Sequence, residues 1–190
     1  MSSLTDVSER GLYAAFNGCT SLTSADLSSL QRIQNYGLYQ VFYGCTSLTS
    51  VDLSSITTLF AQGLYQAFSG CTSLVSVDLS NLVDASASYS LNNTFFNCTS
   101  LKNVYMNKTS VGYASAWART FFGCTALELV DFSEATAIPA ISNTAFGNTN
   151  STFKIVVPDA LYATWIEATN WSTLASQIIK VSEYQASLGQ

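Results

Sequence analysis

Residues 63–80, GLYQAFSGCTSLVSVDLS, decide the fold because they recur along the chain. Close copies begin at Gly11 (GLYAAFNGCTSLTSADLS) and Gly37 (GLYQVFYGCTSLTSVDLS), and divergent ones at Leu91 (LNNTFFNCTSLKNVYMN) and Trp117 (WARTFFGCTALELVDFS). The cysteines Cys19, Cys45, Cys71, Cys98 and Cys124 mark a period of 26 residues, with one step of 27 between Cys71 and Cys98. A fixed period of this size predicts a solenoid, in which each repeat is one winding that buries its apolar side chains only against its neighbours.

Counted from each cysteine, the apolar positions repeat. Leu12, Leu38, Leu64, Leu91 and Trp117 stand seven before it, and Phe16, Phe42, Phe68, Phe95 and Phe121 three before. Leu22, Leu48, Leu74, Leu101 and Leu127 stand three after. Ala25, Val51, Val77, Val104 and Val130 come six after, and Leu27, Leu53, Leu79, Met106 and Phe132 eight after. Leu64, Phe68 and Cys71 have the i, i+4, i+7 spacing of a short helix. Val77 and Leu79 alternate with Ser76, Asp78 and Ser80, which predicts a strand. Gly18, Gly44, Gly70 and Gly123, with Asn97 in the fourth copy, suit a left-handed residue closing that helix. Stacked coils then pair their strands into one parallel sheet.

Upstream, Leu4, Val7 and Gly11 align with Leu30, Ile33 and Gly37 as the tail of a preceding coil. The one-residue insertion falls in residues 81–90 and should bulge, and residues 108–116, without the usual leucines, should be looser. Residues 144–157 read as a decayed sixth coil that keeps Phe146 and a strand over 153–157. Pro158 and Asp159 open a helix to about Ala168 with Asp159 as its N-cap. A second short helix follows at Trp171 and Leu174, then a last strand over 178–181. The expected division is a solenoid over 1–157 and a terminal cap of the same domain over 158–190.

Composition narrows the chemistry. Only 10% of the residues are charged against 48% hydrophobic, so Ser, Thr, Asn and Gln must fill the wet faces. A net charge of −5 without a basic cluster speaks against nucleic acid as a partner. No apolar run is long enough to span a bilayer, and the first ten residues lack the segments of an export signal. There is no histidine, so neither a Ser-His-Asp nor a Cys-His arrangement can be assembled. The expectation is a protein that is not an enzyme, with no catalytic residues, no metal and no cofactor. An odd number of cysteines in one repeated position reads as a column of buried thiols rather than disulfides.

The motif F-x-G-C-T-S-L-x-x-V-D-L-S resembles the leucine-rich repeats of the BspA-like, Treponema-type family of bacterial surface proteins, and IVVPDALYATWIEATNWSTLASQIIKV resembles the closing segment of such proteins. The fourth and fifth coils depart from the pattern after their strands, and the family's secretion signal is missing. The resemblance implies a right-handed α/β leucine-rich-repeat solenoid. A parallel sheet would form one face, short helices or turns the other, and a helical cap the C-terminus. It also implies an extracellular or cell-surface adhesion module. Because similar repeats occur in prophage and tail-associated proteins, a structural or receptor-binding part of a virion is the alternative. The family supplies no catalytic motif.

The ligand face expected from these readings is the outer face of the sheet: Ser24 and Asp26, Ser50 and Asp52, Ser76 and Asp78, Asn103 and Tyr105, and Asp131. Rows of short hydroxyl, amide and carboxylate groups suit a protein or glycan on a host or neighbouring cell, with Tyr105 as the aromatic platform. Solubility alone would also select small polar groups there. A calcium ion wants six to eight oxygens, more than a flat sheet of Ser and Asp offers. Tyr13, Tyr39 and Tyr65 form a second column, read as rings packed on the adjacent coil with the hydroxyls wet. The open N-terminal end exposes Leu12 and Phe16 and offers a surface for self-association.

Overall fold

The computed structural model describes residues 5–109 and 111–189, so Leu4 lies outside the described residues. Among the described residues twelve short strands all pair in parallel: β1 (Asp6–Val7), β2 (Ser24–Asp26), β3 (Arg32–Ile33), β4 (Ser50–Asp52), β5 (Thr58–Leu59), β6 (Ser76–Asp78), β7 (Asp84–Ala85), β8 (Asn103–Tyr105), β9 (Val111–Gly112), β10 (Leu129–Asp131), β11 (Lys154–Val157) and β12 (Ile178–Lys180). They form two sheets. The main sheet runs β2-β4-β6-β8-β10-β11-β12 and the second β1-β3-β5-β7-β9. The windings from β2 to β9 therefore cross the main sheet, turn, cross the second sheet and return, while the later ones, with β10, β11 and β12, cross the main sheet alone among the described residues.

Register follows the repeat residue for residue. Val51 pairs with Ala25 and Val77, and Val104 with Val77 and Val130, so one inward column fills the interior behind the main sheet. The second sheet was not foreseen. Its inward residues Ile33, Leu59 and Ala85 are fully buried, and each strand offers only two residues, too few for an alternation to stand out.

The helical spacing at Leu64, Phe68 and Cys71 does not produce a helix. The return segment is a ribbon of successive β-turns. Gly63, Tyr65, Ala67, Ser69 and Cys71 each donate an amide to the carbonyl three residues back, at 3.0–3.2 Å. The alternate residues Gln62, Leu64, Gln66, Phe68 and Gly70 donate to Ser88, Ser90, Asn92, Thr94 and Phe96 of the next coil, at 2.8–3.0 Å. An α-helix would take every amide internally, whereas here half of them join neighbouring coils. The turns advance with a four-residue backbone period, marked by positive φ at Gln62, Gln66 and Gly70, and that period imitates i, i+4 spacing. The left-handed geometry foreseen for Gly18, Gly44, Gly70, Asn97 and Gly123 is present, and it recurs at Ala14, Gln40, Asn93 and Arg119.

Inside, like stacks on like. The rings of Phe16, Phe42, Phe68, Phe95, Phe121 and Phe146 lie 5.0–5.7 Å apart from coil to coil. Cys45, Cys71, Cys98 and Cys124 are buried, and no cysteine forms a disulfide. Cys19 corrects the expected thiol column at one end. It is exposed, and Phe16 is 40% exposed, because no described coil covers the outer side of the first winding.

The insertion lies between Ala85 and Tyr89. Thr58 still pairs with Asp84 at an offset of 26 residues, while the left-handed Gln62 corresponds to Tyr89 at 27. The chain bends there and Ser88 and Tyr89 are exposed, as a bulge requires. Within 108–116 the chain still contributes β9, which closes the second sheet; Ser110 lies outside the described residues. Phe146 and β11 complete the sixth coil.

The C-terminal segment corrects the capping assignment. A 3₁₀ turn at Asp159–Leu161 leads into α1 (Tyr162–Trp165), and its N-cap is Pro158 without a side-chain bond. Asp159 instead accepts the amide of Ser182, at 3.1 Å, in the first turn of α2 (Val181–Leu188), a helix not read from sequence. Trp165 and Trp171 pack edge to face over Phe132, and the Trp171 indole donates to the Pro139 carbonyl at 2.7 Å. This aromatic plug closes the core where the repeat ends.

Candidate ligand-binding face

The main sheet sets its outward residues in two columns. Ser24, Ser50, Ser76, Asn103, Leu129 and Lys154 are aligned in one, and Asp26, Asp52, Asp78, Tyr105, Asp131 and Val156 in the other. Adjacent strands of a sheet lie about 4.8 Å apart, so each column presents one functional group per step. The strands β2, β4, β6 and β10 each end at an aspartate. Asp26, Asp52, Asp78 and Asp131 accept the backbone amide two residues on, from Ser28, Ser54, Ser80 and Ser133, at 2.8–3.0 Å. This Asx geometry turns the chain out of the sheet. The Ser28 hydroxyl, and after it the Ser28 amide, holds the Asp26 carboxyl below its ordinary value of 3.8. The aspartate column is thus half occupied by its own turns, and Asp26, Asp52 and Asp78 each keep one oxygen to meet a ligand.

The structure divides the nine expected residues. Ser50, Asp26, Asp52, Ser76 and Asp78 line one shallow trough of about 410 Å³, together with Ser28 and Ser54, and Ser24 is exposed beside Ser50. Asn103, Tyr105 and Asp131 continue the same face but are half-buried. There α2 folds back over the sheet. Val156, an outward residue, is 1% exposed, and α2 packs against β11. Burial, followed by the proximity of Tyr105 and Asp131, pushes the Tyr184 hydroxyl of α2 above its ordinary range. Asn107 donates to Asp131 Oδ2 at 3.1 Å and to Ser133 Oγ at 2.8 Å, taking up the remaining oxygen of that carboxylate. Tyr105 is therefore not a free platform. It sits at the margin between the open and the covered parts of the face.

Among the described residues no group of three or more His, Cys, Asp or Glu side chains could hold a metal ion. The buried thiols are poor nucleophiles or ligands, since burial pushes Cys71 and Cys124 up to about 12. Each buried Sγ–H donates to a phenylalanine carbonyl of the preceding coil at 3.0–3.1 Å. On the turn ribbon, Tyr13, Tyr39 and Tyr65 stack at 4.7 and 4.8 Å with interplanar angles of 3° and 6°. Their rings lie on one another rather than in the core, and Tyr13 is 47% exposed. Gln40 donates to Gln66 at 2.6 Å in the adjacent column.

The family model for the BspA type leucine rich repeat region matches this sequence in six copies, over residues 11–110 and 40–165. No curated protein matches the chain. Among solved structures, the chain is similar to one chain of the crystal structure of the TLR13-ssRNA13 complex, with 15% identity and a TM-score of 0.40. The similarity covers 82% of this chain but 23% of that one.

Proposed function

We propose that this chain, which belongs to the BspA-type leucine-rich-repeat family, is a non-enzymatic recognition module. Its ligand is a protein or glycan outside the cell, held on the open half of the main sheet. The observation that carries this reading is the trough over coils one to three. Ser50, Ser76, Asp26, Asp52 and Asp78 line it, in strict register and uncovered by the helix that shields the other half. Hydroxyl donors and half-occupied carboxylates at one strand spacing suit a hydrogen-bonding ligand with a repeat of its own. Their short side chains lose little rotamer entropy on binding. No helix among the described residues is long and apolar enough to cross a membrane.

Glycan and matrix-protein arrays test the reading, repeated with Asp52→Ala, Asp78→Ala and Tyr105→Ala. The two aspartate variants should lower affinity about tenfold each, the loss of one charge-assisted hydrogen bond. Tyr105→Ala, at the covered margin, should lower it less. Retention of full binding by both aspartate variants would remove the site from this face.

A further inference from the structure

We infer that the turn ribbon carries a second binding site, a tyrosine-walled groove that takes a proline-rich peptide in the polyproline II conformation with an acidic residue at one end. The groove runs across coils one to three and encloses about 300 Å³. Tyr13 and Tyr39 belong to the stacked column that forms one wall. The other wall is Arg10, Tyr36 and Gln62, which occupy one repeat position. It goes unnoticed in the sequence because the three residue types differ.

Three features select the occupant. Polyproline II rises about 3.1 Å per residue with three residues per turn, or roughly 9.3 Å between prolines three apart. Two steps along the tyrosine column, 4.7 and 4.8 Å, make about 9.5 Å, so prolines on one edge of the helix meet every second coil. Such a helix makes no internal hydrogen bonds, and its carbonyls need donors. The groove supplies them. Gln62 donates to the Tyr36 hydroxyl at 3.3 Å, leaving that hydroxyl's proton for a ligand carbonyl, and opposite lie the Tyr13 and Tyr39 hydroxyls, which share a hydrogen bond and keep one further proton for the ligand. Aromatic grooves that recognise proline-rich segments combine these elements.

The third feature is charge. The Arg10 guanidinium lies 5.3 Å from the Tyr36 ring centroid and has no ion pair among the described residues. A peptide carboxylate at the Arg10 end completes it. Sugar stacking is disfavoured at the centre of the column, where Tyr13 and Tyr65 take both faces of Tyr39 and leave its edge and hydroxyl. The parallel stack also fixes the side chains before binding, which lowers the entropic cost of recognition.

Fluorescence anisotropy with a labelled peptide of one glutamate followed by eight prolines tests the site on the whole chain. Controls are the glutamine-headed analogue, a glutamate-headed Gly-Ser peptide of equal length, and labelled β-linked gluco-oligosaccharides. The acidic proline peptide should bind with a dissociation constant of about 10–300 μM, at least about tenfold tighter than the Gly-Ser peptide. Tyr39→Ala should weaken it about tenfold or more. Tyr39→Phe, which keeps the stack, should weaken it a few-fold. Arg10→Gln should weaken the acidic peptide about threefold to tenfold and leave the glutamine-headed one unchanged. Tyr89→Ala and Asp78→Ala, outside the groove, should have no effect, which separates this site from the sheet face. Absence of binding at 1 mM, equal affinity for the Gly-Ser peptide, or indifference to Tyr39→Ala in a folded variant would overturn the assignment. So would preferential capture of the oligosaccharides.

Discussion

The buried thiols should set the alkaline limit of this protein. Burial pushes Cys71 and Cys124 from an ordinary value of 9.0 up to about 12, with Cys45 and Cys98 moved in the same direction. Above about pH 9 the unfolded chain gives up these protons while the folded chain keeps them. The unfolded state then binds fewer protons, so stability falls as pH rises, until the folded thiols themselves ionise near 12. At about pH 10.5, roughly 1.5 units above the unfolded value, the loss is about 2 kcal/mol per thiol and about 4 kcal/mol for Cys71 and Cys124 together. Urea unfolding followed by far-ultraviolet circular dichroism, under reducing conditions at about pH 8 and 10.5, measures it in the native protein and in the Cys71→Ala/Cys124→Ala variant. Tyrosine ionisation is common to both proteins and cancels in the difference. The variant should start about 1–2 kcal/mol less stable per substitution, from the lost volume and the lost S–H bond. Between the two pH values it should nevertheless lose about 4 kcal/mol less than the native protein. Equal losses in the two proteins would refute the reasoning.

Three further outcomes follow from the same packing. Phe68 stacks between Phe42 and Phe95 at 5.5 and 5.6 Å, so Phe68→Ala should cost about 3–5 kcal/mol in urea unfolding, whereas Phe16→Ala at the open end should cost at most about 2. Ala14 holds φ of 50°, so Ala14→Gly should stabilise by about 1 kcal/mol, while Ala67→Gly in the buried part of the ribbon should destabilise by at least that much; a loss of stability in the first variant would contradict the turn geometry. Asp159, whose carboxyl is held below 3.8 by Ser182, contributes stability above that value that is lost as pH falls through the folded one. The hydrogen-exchange protection factors of the α2 amides should therefore fall in Asp159→Ala at neutral pH, and in the native protein below about pH 3.8 relative to the intrinsic exchange rate at that pH.

The repeat made the windings legible because a column of phenylalanines, cysteines and leucines can be satisfied only by stacking. The same register located the main sheet and its outward serines and aspartates. What the repeat could not convey was the path of the backbone between those columns. Leu64, Phe68 and Cys71 fit a helix and a four-residue turn ribbon equally well. What separates the two is where the amides of Gln62, Leu64 and Gln66 go, and their acceptors lie 26 residues away in the next coil. A partner at that distance leaves no local trace. The C-terminal segment failed differently. Asp159 has the right residue type for an N-cap, but tertiary proximity gave its carboxylate to Ser182. The helix that brings Ser182 there, α2, also covers Val156 and reaches Tyr105, so the margin of the open face lies outside the repeat altogether.

In a solenoid whose coils repeat in register, any surface residue type becomes a stripe, and the physics of stripes limits what the faces can be. A stripe of unit charges about 5 Å apart costs about 0.8 kcal/mol per adjacent pair in water, which three aspartates tolerate when each also ends a strand. The fourth coil places Tyr105 in that column, which separates Asp78 from Asp131. A stripe of tyrosines carries no such cost, because each added ring stacks on the last. The low charge content and the abundance of Ser, Thr, Asn and Gln thus follow from the architecture itself. Under the proposed function, such a protein would read its partners by the spacing of hydrogen-bonding groups and ring edges rather than by net charge. Its affinity for a ligand should accordingly depend on the ligand's own repeat distance more than on ionic strength, and a salt titration from about 50 to 500 mM that abolished binding at either face would contradict that.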